Sequence, residues 1–288
     1  MGYMLSESGI ANNLYRMFHV WFGNVRGGLA IGTMGLMIVI SMFNGLSVAG
    51  MAIGATVALP ELLRRGYDKV MITGVIQGGS SLGIMGPPSV VLILYAVIAR
   101  QPVLQLWLAG IGPFILMAIV FTLYIYIRCR MQPELAPILP AEERTNITTR
   151  EKLVLLREGL LPFGLFAAIM GLFFSGTTSL VETSMVGALL SLLAAWFSGK
   201  LTKDVLEVTT RNTLSVSAMF LWIILGALCF SAVYDGLGAI KAIESLLLNT
   251  FDLSPWGVLS MMLFSFIILG MFLDDTAMLV IVAPLYIP

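Results

Sequence analysis

The stretch QGGSSLGIMGPPS, Gln77 to Ser89, interrupts an apolar run that extends from Tyr67 to Arg100. Its residue types suit ion and solute binding rather than bond-breaking chemistry. Ser80 and Ser81 offer hydroxyls, and Gly78, Gly79, Gly83 and Gly86 permit close backbone approach. The Pro87–Pro88 pair denies a helix its N–H donors and crowds the preceding turn, so an unbroken helix is not expected here. Residues 68–99 are long enough to cross a bilayer, which takes roughly 20 apolar residues. Broken backbone at that depth is tolerated only where it is buried in protein or lines a wet cavity. A discontinuous membrane helix is where secondary transporters place ions and substrates. Freed carbonyls would suit a hard cation such as Na⁺, and the half-helix starting near Pro87, Pro88 and Ser89 would turn its positive end toward an anion. The alternative is a kinked packing helix whose small residues serve helix contacts.

Two other polar clusters sit in apolar surroundings. Asn44-Gly45-Leu46-Ser47 joins two apolar stretches closely, either as a re-entrant hairpin tip presenting oxygens or as a short turn between two spans. Asp274 and Asp275, followed by Thr276, are adjacent acids with no basic residue in their span. At least one must face a cavity, a cation or a proton donor, unless the pair caps a turn at the surface. Glu182 either contacts the site or caps a helix. His19, the only histidine, is placed on an interfacial helix.

The elements that must position these groups are membrane helices. Hydrophobic residues make up 58% of the chain and charged ones 11%, with a mean hydropathy of +0.96. A soluble domain carries roughly 25% charged residues. The net charge is zero, which gives no reason to expect a nucleic-acid partner. Cys129 and Cys229 lack metal-ligand spacing and read as small packing residues. The first twenty residues show no secretory leader. The expected fold is an all-α, multi-pass membrane protein.

Residues 6–22 have the spacing of an interfacial helix. Apolar segments follow near 27–43, 47–63, 68–99, 103–127, 159–174, 180–197, 212–233 and 254–271, with a last one from 276. The polar, proline-bearing stretch 128–158 is expected to be a cytoplasmic loop between two halves, 1–127 and 159–288. Segments 199–211 and 235–252 read as surface amphipathic helices. If 27–63 enters and returns on one side while later segments cross, 14 of the 16 Lys and Arg residues share that side, leaving Arg100 and Lys241 opposite. The positive-inside rule makes the crowded side cytoplasmic. Phe43–Pro60 and Phe272–Pro288 then enter from opposite faces with a shared plan: Phe, a polar tip, then apolar residues ending in Pro. That is the signature of an inverted-topology repeat.

Enzyme readings lack support: there is no Gly-x-x-x-x-Gly-Lys-[Ser/Thr] loop, no HExxH and no Cys–His cluster. An intramembrane aspartyl or serine hydrolase working through Asp274, Asp275 or a buried serine is a further alternative, although one adjacent Asp pair on a single helix does not supply two opposed carboxylates. A scaffold subunit without transport activity is the other alternative.

At these motifs the chain resembles the large membrane subunit of tripartite ATP-independent periplasmic (TRAP) transporters, the DctM-like family. The resemblance runs end to end through MGYMLSESGIANNL, RGGLAIGTM, NGLSVAGMAIGATVALPELLRRGYDK, GGSSLGIMGPPSVVLILYA, LWLAGIGP and GMFLDDTAMLVIVAPLYIP. It implies an elevator-type permease in the bacterial inner membrane, with re-entrant hairpins and broken helices. It also implies a small membrane subunit and an extracytoplasmic solute-binding protein as partners, Na⁺ as coupling ion, no other cofactor, and organic acids such as C4-dicarboxylates as substrates. Gly45, Ser47 and Ala49 match the first hairpin tip; Gly83, Pro87, Pro88 and Ser89 match the broken helix; Asp274 and Thr276 match the second hairpin. The family tip is usually Ser-Gly-Ser-Ser, where Asn44 and Leu46 stand here. The family's Thr-Pro-Thr-Glu-Ala-Ala motif survives as SLVETSMVG, with Glu182 but without the proline. Family members normally have spans before the matching region and a second break, containing Thr-Pro-Pro, after it. A fragment of a longer subunit, unable to transport alone, is therefore expected.

Overall fold

The computed structural model describes residues 2–7, 17–18, 21, 27–137, 163–238, 254–273, 278–279 and 282. Among these, every regular element is helical and none is a strand. The helices are α1 (Gly2–Glu7), α2 (Gly28–Asn44), α3 (Ser47–Ile53), α4 (Leu59–Arg64), α5 (Lys69–Gly83), α6 (Val90–Ala99) and α7 (Val103–Met131). They continue with α8 (Phe163–Phe174), α9 (Leu180–Phe197), α10 (Lys203–Gly236) and α11 (Pro255–Gly270).

Three of these helices, α7, α9 and the first part of α10, are long and apolar enough to cross a membrane. On α7 the side chains of Leu116, Ile119, Leu123 and Tyr124 are exposed, an apolar surface suited to lipid or to a partner helix and not to water. The helix runs to Met131, past the expected end at 127, and carries Arg128 and Arg130 in its last turn. Cations there offset the negative end of the helix dipole. The expected surface helix 199–211 and span 212–233 are one continuous helix, α10, because no Gly or Pro occurs between Lys203 and Leu225. Its polar start carries a Glu207–Arg211 ion pair at 3.4 Å. Cys129 is buried as expected, whereas Cys229 is exposed on α10.

The chain divides into two units. One comprises residues 91–106 and 213–288, which hold most of α6, the start of α7, the apolar end of α10, and α11. Helix α11 starts on a Ser254 cap that accepts from Gly257 N–H at 3.3 Å, with Pro255 at its first position.

The other unit, residues 1–90 and 107–212, contains the packed core. Helix α2 ends at Gly45, whose φ of +69° is the left-handed conformation that glycine adopts without a side-chain clash. Leu46 is extended, and α3 turns back at once. With 17 residues, α2 spans about 25 Å, less than the ~30 Å hydrocarbon core. A re-entrant hairpin fits this length better than two full spans. The return arm widens into a π-turn over Gly54–Ala58 just ahead of Pro60, which has no N–H to give to Thr56.

Helices α2, α3 and α5 meet through glycines, the small residues that allow close helix approach in lipid. A methyl on Gly79 would stand 3.0 Å from the Met34 carbonyl oxygen, and one on Gly83 would stand 2.6 Å from that of Ile38. One on Gly54 would stand 2.6 Å from the Ile76 side chain. Below this junction, Gly27 abuts the Cys129 thiol and the Asp68 N–H donates to the Leu135 carbonyl at 3.1 Å. Tyr67 is buried in the same place, and burial pushes its phenol up to about 12. Of the expected interfacial helix 6–22, only residues 6–7, 17–18 and 21 are described; Phe18 packs over Gly32 and Gly35, and His19 lies outside the described residues.

Candidate functional site

The hairpin tip is built by its glycine and its asparagine. Gly45 N–H donates to the Ser41 carbonyl at 2.7 Å and closes α2. Asn44 Nδ2 donates to the Ile40 carbonyl at 2.9 Å, which fixes the amide and leaves Oδ1 unengaged. That oxygen is buried without a hydrogen-bond partner and lies against Gly2 of α1. Ser47, half-buried, opens α3 on the far side of the tip.

The helix break is shorter than the composition suggests. Helix α5 continues through Gln77, Ser80, Ser81 and Gly83, and only Ile84–Ser89 leave the helix before α6 begins at Val90. The glycines at 78, 79 and 83 are tolerated in α5; those at 79 and 83 are where α2 comes closest, and the prolines alone set the break. The Pro87–Pro88 peptide is cis. Gly86, Pro87 and Ser89 are buried.

Tip and break meet, although Gly45 and Pro88 are 43 positions apart in the sequence. A methyl on Gly45 would lie 2.5 Å from Val90 Cγ2 and 3.4 Å from both the Pro88 carbonyl oxygen and the Val90 nitrogen. Gly86 faces the thioether of Met42, at 3.2 Å from a methyl placed on it. Asn44, Gly45, Pro88 and Ser89 therefore belong to one locale.

Ser80 and Ser81, both read as hydroxyl donors to the site, part company. Ser80 is 0% exposed and points into the α2–α3–α5 junction, whereas Ser81, about 100° further round the helix, is exposed. Gly83 sits against Ser41 and contributes packing. Asp274, Asp275 and Thr276 lie outside the described residues, as does most of the expected second hairpin. Glu182 is settled locally: it accepts from the Ser179 N–H at 2.7 Å and Oγ at 2.8 Å, and Ser179 Oγ accepts from the Glu182 N–H. This capping box accounts for its carboxylate.

Sequence reasoning missed Ser41, which is 0% exposed with an orphaned hydroxyl and approaches Gly50 beside Ser80 Oγ. It shares a face of α2 with Thr33, another buried hydroxyl without a partner. The i, i+4, i+8 spacing of Thr33, Met37 and Ser41 was the available signal. Trp107 was missed too, because nothing local points to its partner, the Ser89 carbonyl.

The donor set is neutral oxygen: amide, hydroxyl and carbonyl. Among the described residues, no group of three or more His, Cys, Asp or Glu could hold a metal. An alkali cation fits such donors better than a transition metal does.

The family described as "Tripartite ATP-independent periplasmic transporter, DctM component" matches residues 1–288, the whole chain. The chain belongs to this family. Its members are transporter permease subunits and not enzymes. The C4-dicarboxylate TRAP transporter large permease protein of Pseudomonas aeruginosa is 29% identical over 100% of this chain and 66% of its own length. The ectoine/5-hydroxyectoine TRAP transporter large permease protein of Ruegeria pomeroyi is 26% identical over 96% of this chain and 63% of its own. The sialic acid TRAP transporter permease protein of Haemophilus influenzae is 25% identical over 100% of this chain and 46% of its own. The chain thus spans slightly under two thirds of the length of the first two relatives. As a TRAP permease chain it is a membrane protein, in keeping with its apolar exposed helices.

Proposed function

We propose that this chain forms part of the permease subunit of a Na⁺-coupled, binding-protein-dependent importer of organic acids in a bacterial inner membrane. The observation that carries the reading is the junction of the hairpin tip with the helix break. Three oxygens buried without partners lie at or just behind it: Asn44 Oδ1, Ser41 Oγ and Ser80 Oγ. Stranding a polar group in an apolar interior costs on the order of 1–3 kcal/mol, which a bound cation would offset.

In this reading Na⁺ takes oxygens at the tip, with Asn44, Gly45, Ser47 and the carbonyl of Pro88 closest to hand. The carboxylate of the substrate lies toward Ser89 and the start of α6, where a helix N-terminus favours negative charge. The cation next to it supplies attraction for the carboxylate. Asp274, Asp275 and Thr276 would complete a second ion position from the other hairpin, in an elevator built of inverted repeats. The relatives are named for C4-dicarboxylates, ectoine and sialic acid, and a carboxylate is the chemistry these share. A small membrane subunit and an extracytoplasmic solute-binding protein are the proposed partners.

The test is uptake by proteoliposomes that hold the full-length subunit, the small subunit and the binding protein. Radiolabelled succinate, sialic acid and ectoine would be offered under inward Na⁺ or K⁺ gradients. At least one solute should accumulate with Na⁺ and not with K⁺. Accumulation that ignores the cation would refute the coupling, and accumulation of none would refute the carboxylate class represented.

A further inference from the structure

At the opposite end of the hairpin from its tip, the turn between α4 and α5 meets the end of α7. The Asp68 N–H donates to the Leu135 carbonyl at 3.1 Å, and a methyl on Gly66 would stand 3.7 Å from Pro137 Cγ. Gly27 and Tyr67 both neighbour Cys129. All these residues belong to one unit.

Basic side chains gather where the two elements meet. Arg64 and Arg65 close α4, Lys69 opens α5, and Arg128 and Arg130 stand in the last turn of α7. The acids among them are Glu61, Asp68 and Glu134. Glu61 is taken by Arg64 at 2.8 Å and by Arg65 at 2.6 Å. Asp68 accepts from the Met71 N–H at 2.9 Å and caps α5, while Glu134 is exposed. Among the described residues, no ion pair reaches Lys69, Arg128 or Arg130. The balance is positive.

Exposed apolar side chains stand between these charges: Leu63, Val70, Ile127 and Met131. Arg130 Nη1 donates to the Tyr126 hydroxyl at 3.2 Å, which turns the guanidinium back one helical turn toward the apolar part of α7. Tyrosine and arginine at the end of a spanning helix are anchors at headgroup level. Cations mixed with bare apolar side chains at that level suit an amphiphile, whose phosphate meets the first and whose acyl chains cover the second. A water-soluble anion would answer the charge and leave the apolar side chains uncovered.

We infer that this junction is a docking site for an anionic phospholipid, its phosphate held by Lys69, Arg128 and Arg130 and its chains lying along the exposed flank of α7. The lipid would hold the base of the hairpin against α7. The site is separate from the tip and the helix break and does not depend on which ion or solute is carried.

The experiment uses the full-length subunit, purified with its small subunit in mild detergent. Phosphatidylglycerol or phosphatidylcholine with the same chains would be added, with thermal melts and native mass spectrometry as readouts. Phosphatidylglycerol should raise the melting temperature by a few degrees more than phosphatidylcholine does. It should also be retained about fivefold more. The triple variant Lys69→Gln, Arg128→Gln, Arg130→Gln should lose both differences. A control triple at α10 and the turn before it, Lys200→Gln, Lys203→Gln, Arg211→Gln, removes equal charge and should keep them.

An equal response to the two lipids would overturn the inference, as would a junction triple that behaves like wild type. So would an equal loss in the control triple, which would mean unspecific attraction, or the same stabilisation by millimolar inorganic phosphate, which would mean a phosphate site without lipid. Should the junction triple fail to accumulate, wild type can be crosslinked to phosphatidylglycerol carrying a photoreactive chain. Labelled peptides should map to 63–70 and 123–131, and labelling that spares both segments would overturn the assignment.

Discussion

Side-chain identity in this chain says less than side-chain direction. Adjacent Ser80 and Ser81 are chemically equal, yet one is sealed in a helix junction and the other exposed. Their presence was legible in the sequence; which of them faces inward depends on where α2 lies and was not. Ser80→Ala should therefore affect Na⁺ dependence in uptake assays, while Ser81→Ala should leave it within twofold. Glu182 shows the opposite case. Ser179-Leu180-Val181-Glu182 carries the Ser-x-x-Glu capping signature openly, and the bonds bear it out. Glu182→Gln keeps that cap and should retain wild-type uptake, whereas Ser179→Ala should cost about 1 kcal/mol, read as a lower melting temperature in detergent. Gly45 is the least replaceable residue at the tip. Its left-handed φ costs another residue about 1–2 kcal/mol, and the Val90 side chain blocks a methyl.

Glycines and prolines have different jobs within the same segment. Pro87 and Pro88 end α5 and delay α6, and the sequence announced this through the missing N–H groups. The glycines before them looked like part of the break and are instead helical, because close approach by α2 demands small residues in α5. Gly74 and Gly83 allow a clean comparison within one helix. Nothing lies within 4 Å of a methyl on Gly74, so Gly74→Ala should raise stability by about 0.5–1 kcal/mol through helix propensity. Gly83→Ala meets the Ile38 backbone at 2.6 Å and should destabilise by about 1–3 kcal/mol, since backbone cannot step aside as a side chain can. Thermal melts of the two variants in the same detergent decide the matter. The merger of 199–211 with 212–233 into α10 teaches a related lesson. A change from polar to apolar composition marks the membrane surface, and without a breaker residue it does not end a helix.

For the molecule as a whole, composition was enough to place the chain in a bilayer, and the residue motifs were enough to place it in its family, which the match over residues 1–288 bears out. Contacts between distant segments were beyond reach. No local pattern joins Gly45 to Val90 or Trp107 to Ser89, because such pairings follow from how helices pack and not from periodicity along any one of them. The account of transport depends on the first of these contacts. It is tested most directly by thiol labelling in the full-length subunit, in a background without other reactive cysteines, with Ser47→Cys at the tip and Gln101→Cys at the exposed turn between α6 and α7. Na⁺ should slow labelling at position 47 about tenfold or more where K⁺ does not, and should leave position 101 unchanged. Equal labelling at position 47 in Na⁺ and K⁺ would contradict the placement of the ion between hairpin tip and helix break.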